Sequence, residues 1–399
     1  MPGRNPRSDG QGGGRTRDIL IAIAGRQHAD QLAAALVEAG WNATLHHASP
    51  IRPALAEILA GHHRLHSLVG LIFRTGNKVL PLLLAYRLAH RMYALFDRNV
   101  ARMLPKIAPQ AVIVYENGAL DTLRAAKALG LPTILDAASV HHRMQAEGGL
   151  SDIGTTFRER VNARKDAEIA LSDHILCCST LAANSYIDAG VPADRVHAVP
   201  LGFEPGSFGP GTDQPPYDGP LRLAFVGRFT GVKGADLLAT ALENLAERGI
   251  AYDCRIAAAR ADGQPDLVAR LDARATLLGK VPHDELAELY RWADLLVMPS
   301  RFDSFGLVVP EALACGLPVL ASNHVGASDF IVPGENGDVI PFNHADALTG
   351  ALAKYAADPA IVRAMRPAAL ASAQGAEWAH YRQRVARTVA GILGWEEPL

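Results

Sequence analysis

Cysteine is scarce in this chain: four residues among 399, Cys177, Cys178, Cys254 and Cys315, with no CxxC pair and no histidine at ligand spacing. That excludes a disulfide framework and a structural zinc site, and it reads as buried thiols in a reducing, cytoplasmic compartment. Net charge is nearly absent as well, at -2, so no overall field calls for nucleic acid. No stretch reaches the roughly 18 uninterrupted apolar residues of a membrane span. The first seventeen residues are rich in Gly, Arg and Ser and lack an apolar h-region, which reads as a disordered tail over 1–17 and not as a secretory signal. Within them, Gly10-Gln11-Gly12-Gly13-Gly14 follows no strand and is closed by no Lys-Ser/Thr, so it is no phosphate loop. A Ser-His-Asp order and an Asp-x-Asp metal-diphosphate motif at a strand end are also missing.

What is present is α/β layering. With 49% apolar and 20% charged residues the chain is long enough for two cores. Ile19 to Ala24 is a short apolar run followed by a helical pattern through Leu32, Leu36 and Val37, and further runs at 111–115, 133–135, 174–178 and 196–199 alternate with helical stretches such as 120–129. Such runs, apolar throughout, are typical of parallel strands covered on both faces. The segment 202–220 is dense in Gly and Pro and reads as a linker. A second alternating set follows, with strands near 221–226, 254–258, 276–278, 295–298 and 319–321. The expected organisation is a domain over 18–203, a second over 204–379 and a C-terminal helix over 380–399 crossing back to the first. Two doubly wound domains joined this way leave a cleft between the carboxyl ends of their strands, where such folds bind ligands.

The chemistry concentrates in the second half. Phe225-Val226-Gly227-Arg228 ends one apolar strand, and Lys233-Gly234 follows five residues after the arginine. Arg228 and Lys233 in one strand-end loop can hold phosphate oxygens, the first through a two-donor fork and the second as a point charge. Further on, Asp303-Ser304-Phe305-Gly306-Leu307-Val308-Val309-Pro310-Glu311 places two carboxylates either side of a Phe-Gly turn at the start of a helix. Gly306 lets backbone amides approach an anion, and Pro310 is tolerated in a first helical turn. Carboxylates for hydroxyl groups and cations for phosphates together suit a sugar nucleotide. Taken singly, Arg228 and Lys233 would read as solvated surface cations, and Glu311 as a carboxylate favouring a helix dipole.

These elements resemble the retaining glycosyltransferases of family 4. Gly227-Arg228, Lys233-Gly234, Phe305-Gly306 and Glu311-Ala312-Leu313-Ala314-Cys315-Gly316-Leu317-Pro318-Val319 match that family's pattern, and Asp303 stands where it has a first glutamate. The resemblance is strong from about 160 to 345 and weak before. It implies a GT-B fold, in which two Rossmann-like domains face each other across a cleft, and transfer of a sugar from a nucleoside-diphosphate sugar to a hydroxyl acceptor with retention. It implies that Arg228 and Lys233 neutralise the diphosphate, that Glu311 meets the ribose, that Asp303 meets the transferred sugar, and that Gly227, Val281, Ser304, Phe305, Gly306 and Leu307 line the donor site, with the base beside 279–283. No cofactor and no divalent metal are expected, because two cations already face the leaving group. Related enzymes carry a histidine in the acceptor-side loop. Here that place falls on Asp136, His141 or His142, with His28 on a neighbouring loop, and His141 is taken first. An epimerase or a non-catalytic nucleotide-sugar sensor would use the same donor residues.

Residues 51–106 hold nine basic side chains against two acidic ones, interleaved with Leu68, Leu71, Phe73, Leu80 and Leu82 to Leu84. A basic amphipathic stretch of this kind suits peripheral contact with an anionic inner membrane face and a lipid-linked acceptor, or else covers a sheet with its cations in water.

Overall fold

The computed structural model describes residues 17–25, 27–147, 155–206, 208–211, 217–259 and 264–396, with the side chains at 73, 74, 76–79, 82 and 259 left aside. Residues 1–16 of the expected tail, Ser207 and 212–216 of the expected linker, and the side chains of Phe73, Arg74, Lys78 and Leu82 therefore lie outside the described residues. Arg17 is held: its guanidinium donates to the carbonyl of Glu396 (3.0 Å) and lies over Trp41 and Trp395.

Two wholly parallel sheets organise the chain. The first contains β1 (Asp18–Ile23), β2 (Asn42–His47), β3 (His63–Leu65), β4 (Ala111–Tyr115), β5 (Thr133–Ala137), β6 (His174–Cys177) and β7 (Val196–Ala198), in the order β3-β2-β1-β4-β5-β6-β7. The second contains β8 (Leu221–Arg228), β9 (Tyr252–Ala259), β10 (Thr276–Gly279), β11 (Leu295–Met298), β12 (Val319–Ser322) and β13 (Gly337–Ile340), in the order β10-β9-β8-β11-β12-β13. Strand order reverses between β1 and β4 and again between β8 and β11, and at such switch points loops diverge to leave a crevice. The apolar runs become strands for the expected reason: every residue of β4, β5, β11 and β12 is buried, so both faces need covering by helices.

The chain crosses between the two halves twice, side by side. The Phe203 amide donates to the Ala376 carbonyl (3.0 Å) and the Trp378 amide to the Phe203 carbonyl (3.1 Å). Gly202 makes this crossing possible, since a Cβ there would sit 2.5 Å from the Trp378 nitrogen. The final helix, Trp378–Leu393, then lies against the helix Ala29–Glu38 of the first half, where Arg382 donates to Glu38 (2.7 Å) and Gln31 (2.9 Å).

The carboxyl ends of the two sheets meet. After β6, Ser179 caps the helix Thr180–Asp188 by accepting from the Ala182 amide (3.0 Å), and the same hydroxyl donates to the Ser304 carbonyl (2.7 Å) in the loop after β11. The Thr180 amide donates to Asp329 (3.0 Å). Gly326 permits the approach, because a Cβ would fall 2.1 Å from the Ser304 carbonyl oxygen and 2.5 Å from Ser179 Oγ.

Candidate active site

The loop leaving β8 is built to display two cations. Arg228 is the last residue of the strand; it is exposed, and its guanidinium has no side-chain partner among the described residues. Thr230 then turns the chain, its hydroxyl and carbonyl both accepting from the Lys233 amide (3.4 and 3.1 Å). Gly234 follows in the left-handed region (φ 69°), and a Cβ there would lie 2.1 Å from the Pro299 carbonyl oxygen. Glycine is therefore required at the entry of the helix Ala235–Glu247. Arg301 fixes the loop from the other side, gripping Asp236 through two bonds of 2.7 Å and donating to the Gly231 carbonyl. Neither Arg301 nor Asp236 is marked by the sequence pattern.

Lys233 Nζ lies 2.5 Å from Asp303 Oδ2, bringing together residues seventy positions apart. Asp303 is held at the backbone as well, its amide donating to the His324 carbonyl (2.9 Å) and its carbonyl accepting from Gly326 (2.9 Å). Its carboxylate is thus a partner of the cation in addition to being a candidate for sugar hydroxyls. Ser304 Oγ, next in the chain, is 2.9 Å from Ser139 Oγ and accepts from the Val140 amide (3.2 Å). Through this hydroxyl the loop after β11 touches the loop that carries His141. Phe305 is buried against Phe330, Gly306 takes φ 92° with Met298 Cε 2.8 Å from where a Cβ would lie, and Leu307 is exposed. The helix that follows, Val308–Ala314, is only two turns long.

Glu311 sits in that short helix and turns inward; it is 4% exposed. Oε1 is 2.9 Å from His283 Nε2 and Oε2 accepts from the Tyr290 hydroxyl (3.2 Å). Burial raises its pKa above the ordinary carboxylate value, against the opposing pull of the His283 and Tyr290 contacts. Gly227, which precedes Arg228, lies close enough to Lys233 that a Cβ would touch its Cγ at 3.9 Å. Val281 is partly buried on the segment leaving β10, two residues before His283.

On the first-sheet side, His28 Nε2 lies 3.0 Å from Asp136, and both are buried. His141 is buried against Tyr186, its amide donating to Ser185 Oγ (2.8 Å). Burial, helped by the neighbouring His142 ring, lowers its pKa to about 4, so it is neutral at physiological pH. His142 meets Asp166 at 2.7 Å. The structure thus joins Lys233, Asp303 and Ser304 to the loop of His141, while Glu311 forms a second cluster with His283 and Tyr290. His141, His142 and Asp166 also bring three candidate metal-ligand atoms within 4.8 Å of one another. The Arg143 amide donates to His141 Nδ1 (3.3 Å), and His141 Nε2 lies 3.9 Å from Asp166 Oδ1.

Two doubly wound parallel sheets, meeting at their carboxyl ends around a cationic strand-end loop, define the GT-B class. Among solved structures the fold is similar to sucrose-phosphate synthase from Thermosynechococcus elongatus (TM-score 0.67, 20% identity, 94% of this chain and 99% of that one). It is also similar to HepE from Anabaena, solved in complex with UDP (TM-score 0.63, 16% identity, 94% and 100%). The family model described as Glycosyltransferase Family 4 matches residues 25–206, and the one described as Glycosyl transferases group 1 matches residues 212–371. The chain belongs to the group 1 and family 4 glycosyltransferases. D-inositol 3-phosphate glycosyltransferase 1 from Catenulispora acidiphila is 32% identical over 247 residues, which cover 56% of this chain and 58% of that protein. The chain matches little more than half the length of such curated relatives.

Proposed function

We propose that this protein transfers a sugar, with retention, from a nucleoside-diphosphate sugar to a hydroxyl acceptor. The observation that carries this reading is the Lys233–Asp303 pair at 2.5 Å, in the same loop region as Arg228, which has no side-chain partner among the described residues, at the seam where the two sheets meet. Arg228 and Lys233 stabilise charge developing on the departing diphosphate, and Asp303 stands beside the cation where hydroxyls of the transferred sugar can reach it. Glu311 accepts from the ribose. Gly227, Val281, Ser304, Phe305, Gly306 and Leu307 shape the donor side, and His141 faces the acceptor as a neutral imidazole. In a retaining reaction on one face, the leaving phosphate oxygen takes the acceptor proton, so no separate side-chain base is required. Two cations make a divalent ion dispensable, and turnover should survive a chelator.

The test is release of nucleoside diphosphate from a panel of nucleotide sugars, UDP-sugars included because a protein of the same fold was solved with UDP. Release that requires an added hydroxyl acceptor supports transfer. Release without acceptor favours hydrolysis or epimerisation, and binding without turnover favours a sensor.

The acceptor we propose is presented at a membrane surface. Leu68 and Leu71 of the helix Ser67–Val79 and Leu83, Leu84 and Tyr86 of the helix Leu82–Ile107 are all exposed, with Leu65 and Leu80 beside them. Arg87, Arg91, Arg98 and Arg102, farther along the second helix, are exposed too. A helical hairpin with an apolar tip and a cationic flank fits peripheral binding to anionic lipid on an inner membrane face. No helix among the described residues is long and apolar enough to cross a membrane.

A further inference from the structure

Glu311 is held by two side chains from one segment, and they differ in one respect that matters. Tyr290 is fully buried, whereas the His283 side chain is 66% exposed although its Nε2 meets Glu311 Oε1 at 2.9 Å. The histidine ring also packs edge-to-face against Phe208 at 5.0 Å, and Phe208 lies 5.9 Å from Tyr290. Phe208 belongs to the segment that connects the two halves, five residues beyond the crossing at Phe203. A ribose that bonds Glu311 can keep Tyr290 as the second partner and must share or take Oε1 from His283, the partner with room to move.

We propose that His283 is a positioning residue of the donor site, holding the Glu311 carboxylate ionised and aimed for the ribose hydroxyls and yielding Oε1 to them on binding. The proposal rests on the donor reading above. The titratable groups facing Glu311 are His283, Tyr290 and Cys315, with Arg291 beside the cysteine. Burial raises the Glu311 pKa and raises those of Tyr290 and Cys315 as well, so both stay neutral, and His283 is the facing group that pulls the carboxyl back towards ionisation most strongly. An ionised Glu311 accepts through both oxygens and more strongly than the neutral acid, so nucleotide affinity falls as pH drops through its pKa. Removing His283 moves that loss to higher pH.

Two readouts test this in the full chain. Difference infrared spectroscopy against Glu311→Gln follows the Glu311 carboxyl directly, with or without nucleotide. Calorimetric titration with UDP, GDP and ADP between about pH 5 and 8 follows binding, where each unit of displacement costs about tenfold in affinity on the acid side. In His283→Ala both the carboxyl titration and the acid limb of binding move to higher pH. In His283→Gln, which retains a donor at the Nε2 position but not the electrostatic attraction, both move by less than in His283→Ala. A Glu311 titration that is the same in His283→Ala and wild type overturns the proposal. If no nucleotide binds the wild type, the donor reading fails, and a shifted carboxyl titration in His283→Ala still supports the hold on Glu311 by itself.

Discussion

Asp303 is one methylene shorter than the glutamate of the resembled pattern, and the structure pairs it with Lys233. Its carboxylate sits 2.5 Å from Lys233 Nζ, so cation and carboxylate hold each other in place at the strand end. A charge-assisted bond of this type contributes about 1.5 to 3 kcal/mol. Lys233→Ala is expected to fold with a thermal midpoint lowered by only a few degrees, and to lower kcat/KM by roughly 10²-fold or more, because the diphosphate loses a preorganised cation. Asp303→Asn is expected to lower kcat more than it weakens nucleoside diphosphate binding, since the diphosphate lacks the sugar. Steady-state kinetics paired with calorimetry separate the two effects, and wild-type turnover in both variants would reduce the pair to a surface contact. Arg228, Lys233, Asp303 and Glu311 could be singled out in the sequence because each lies in a short local signature. His283, Tyr290, Arg301 and Ser139 could not, since each acquires its role only when strands far apart in the chain are laid side by side.

Elements differ in how openly the sequence declares them. Strands β4, β11 and β12 are unbroken apolar runs and could be read directly. Strands β2, β3 and β13 lie outside the runs read from the sequence: β2 ends in His46-His47, β3 is three residues with Arg64 at its centre, and β13 opens on Gly337-Asp338. The first two are held partly by imidazole pairs, His47 with His63 at 3.0 Å and His46 with His66 at 3.3 Å, which no hydropathy pattern reveals. The helical hairpin 67–107 is the opposite case, since its basic and apolar composition is plain but its use is not. If the exposed tip binds lipid, co-sedimentation with anionic vesicles at low salt exceeds that with neutral vesicles, and replacing Leu68, Leu71 and Leu84 by serine removes the excess. Equal sedimentation with both vesicle types would leave the hairpin as a solvated cover over the first sheet.

For the molecule as a whole, α/β layering followed from the order of apolar runs and helical patterns, and the GT-B arrangement followed from the motifs. The seam was not legible, because Ser179, Ser304 and Gly326 become neighbours only when the two halves dock. In the proposed function this seam holds a nucleoside diphosphate on Arg228 and Lys233. The most direct measurement is calorimetric titration with UDP, GDP and ADP and with the corresponding nucleosides, on the wild type and on Arg228→Ala and Lys233→Ala. One diphosphate is expected to bind at least about tenfold more tightly than its nucleoside, as charge-assisted bonds to phosphate require, with most of that difference lost in each variant. Equal affinity for diphosphate and nucleoside, or binding unchanged in both variants, would contradict the account.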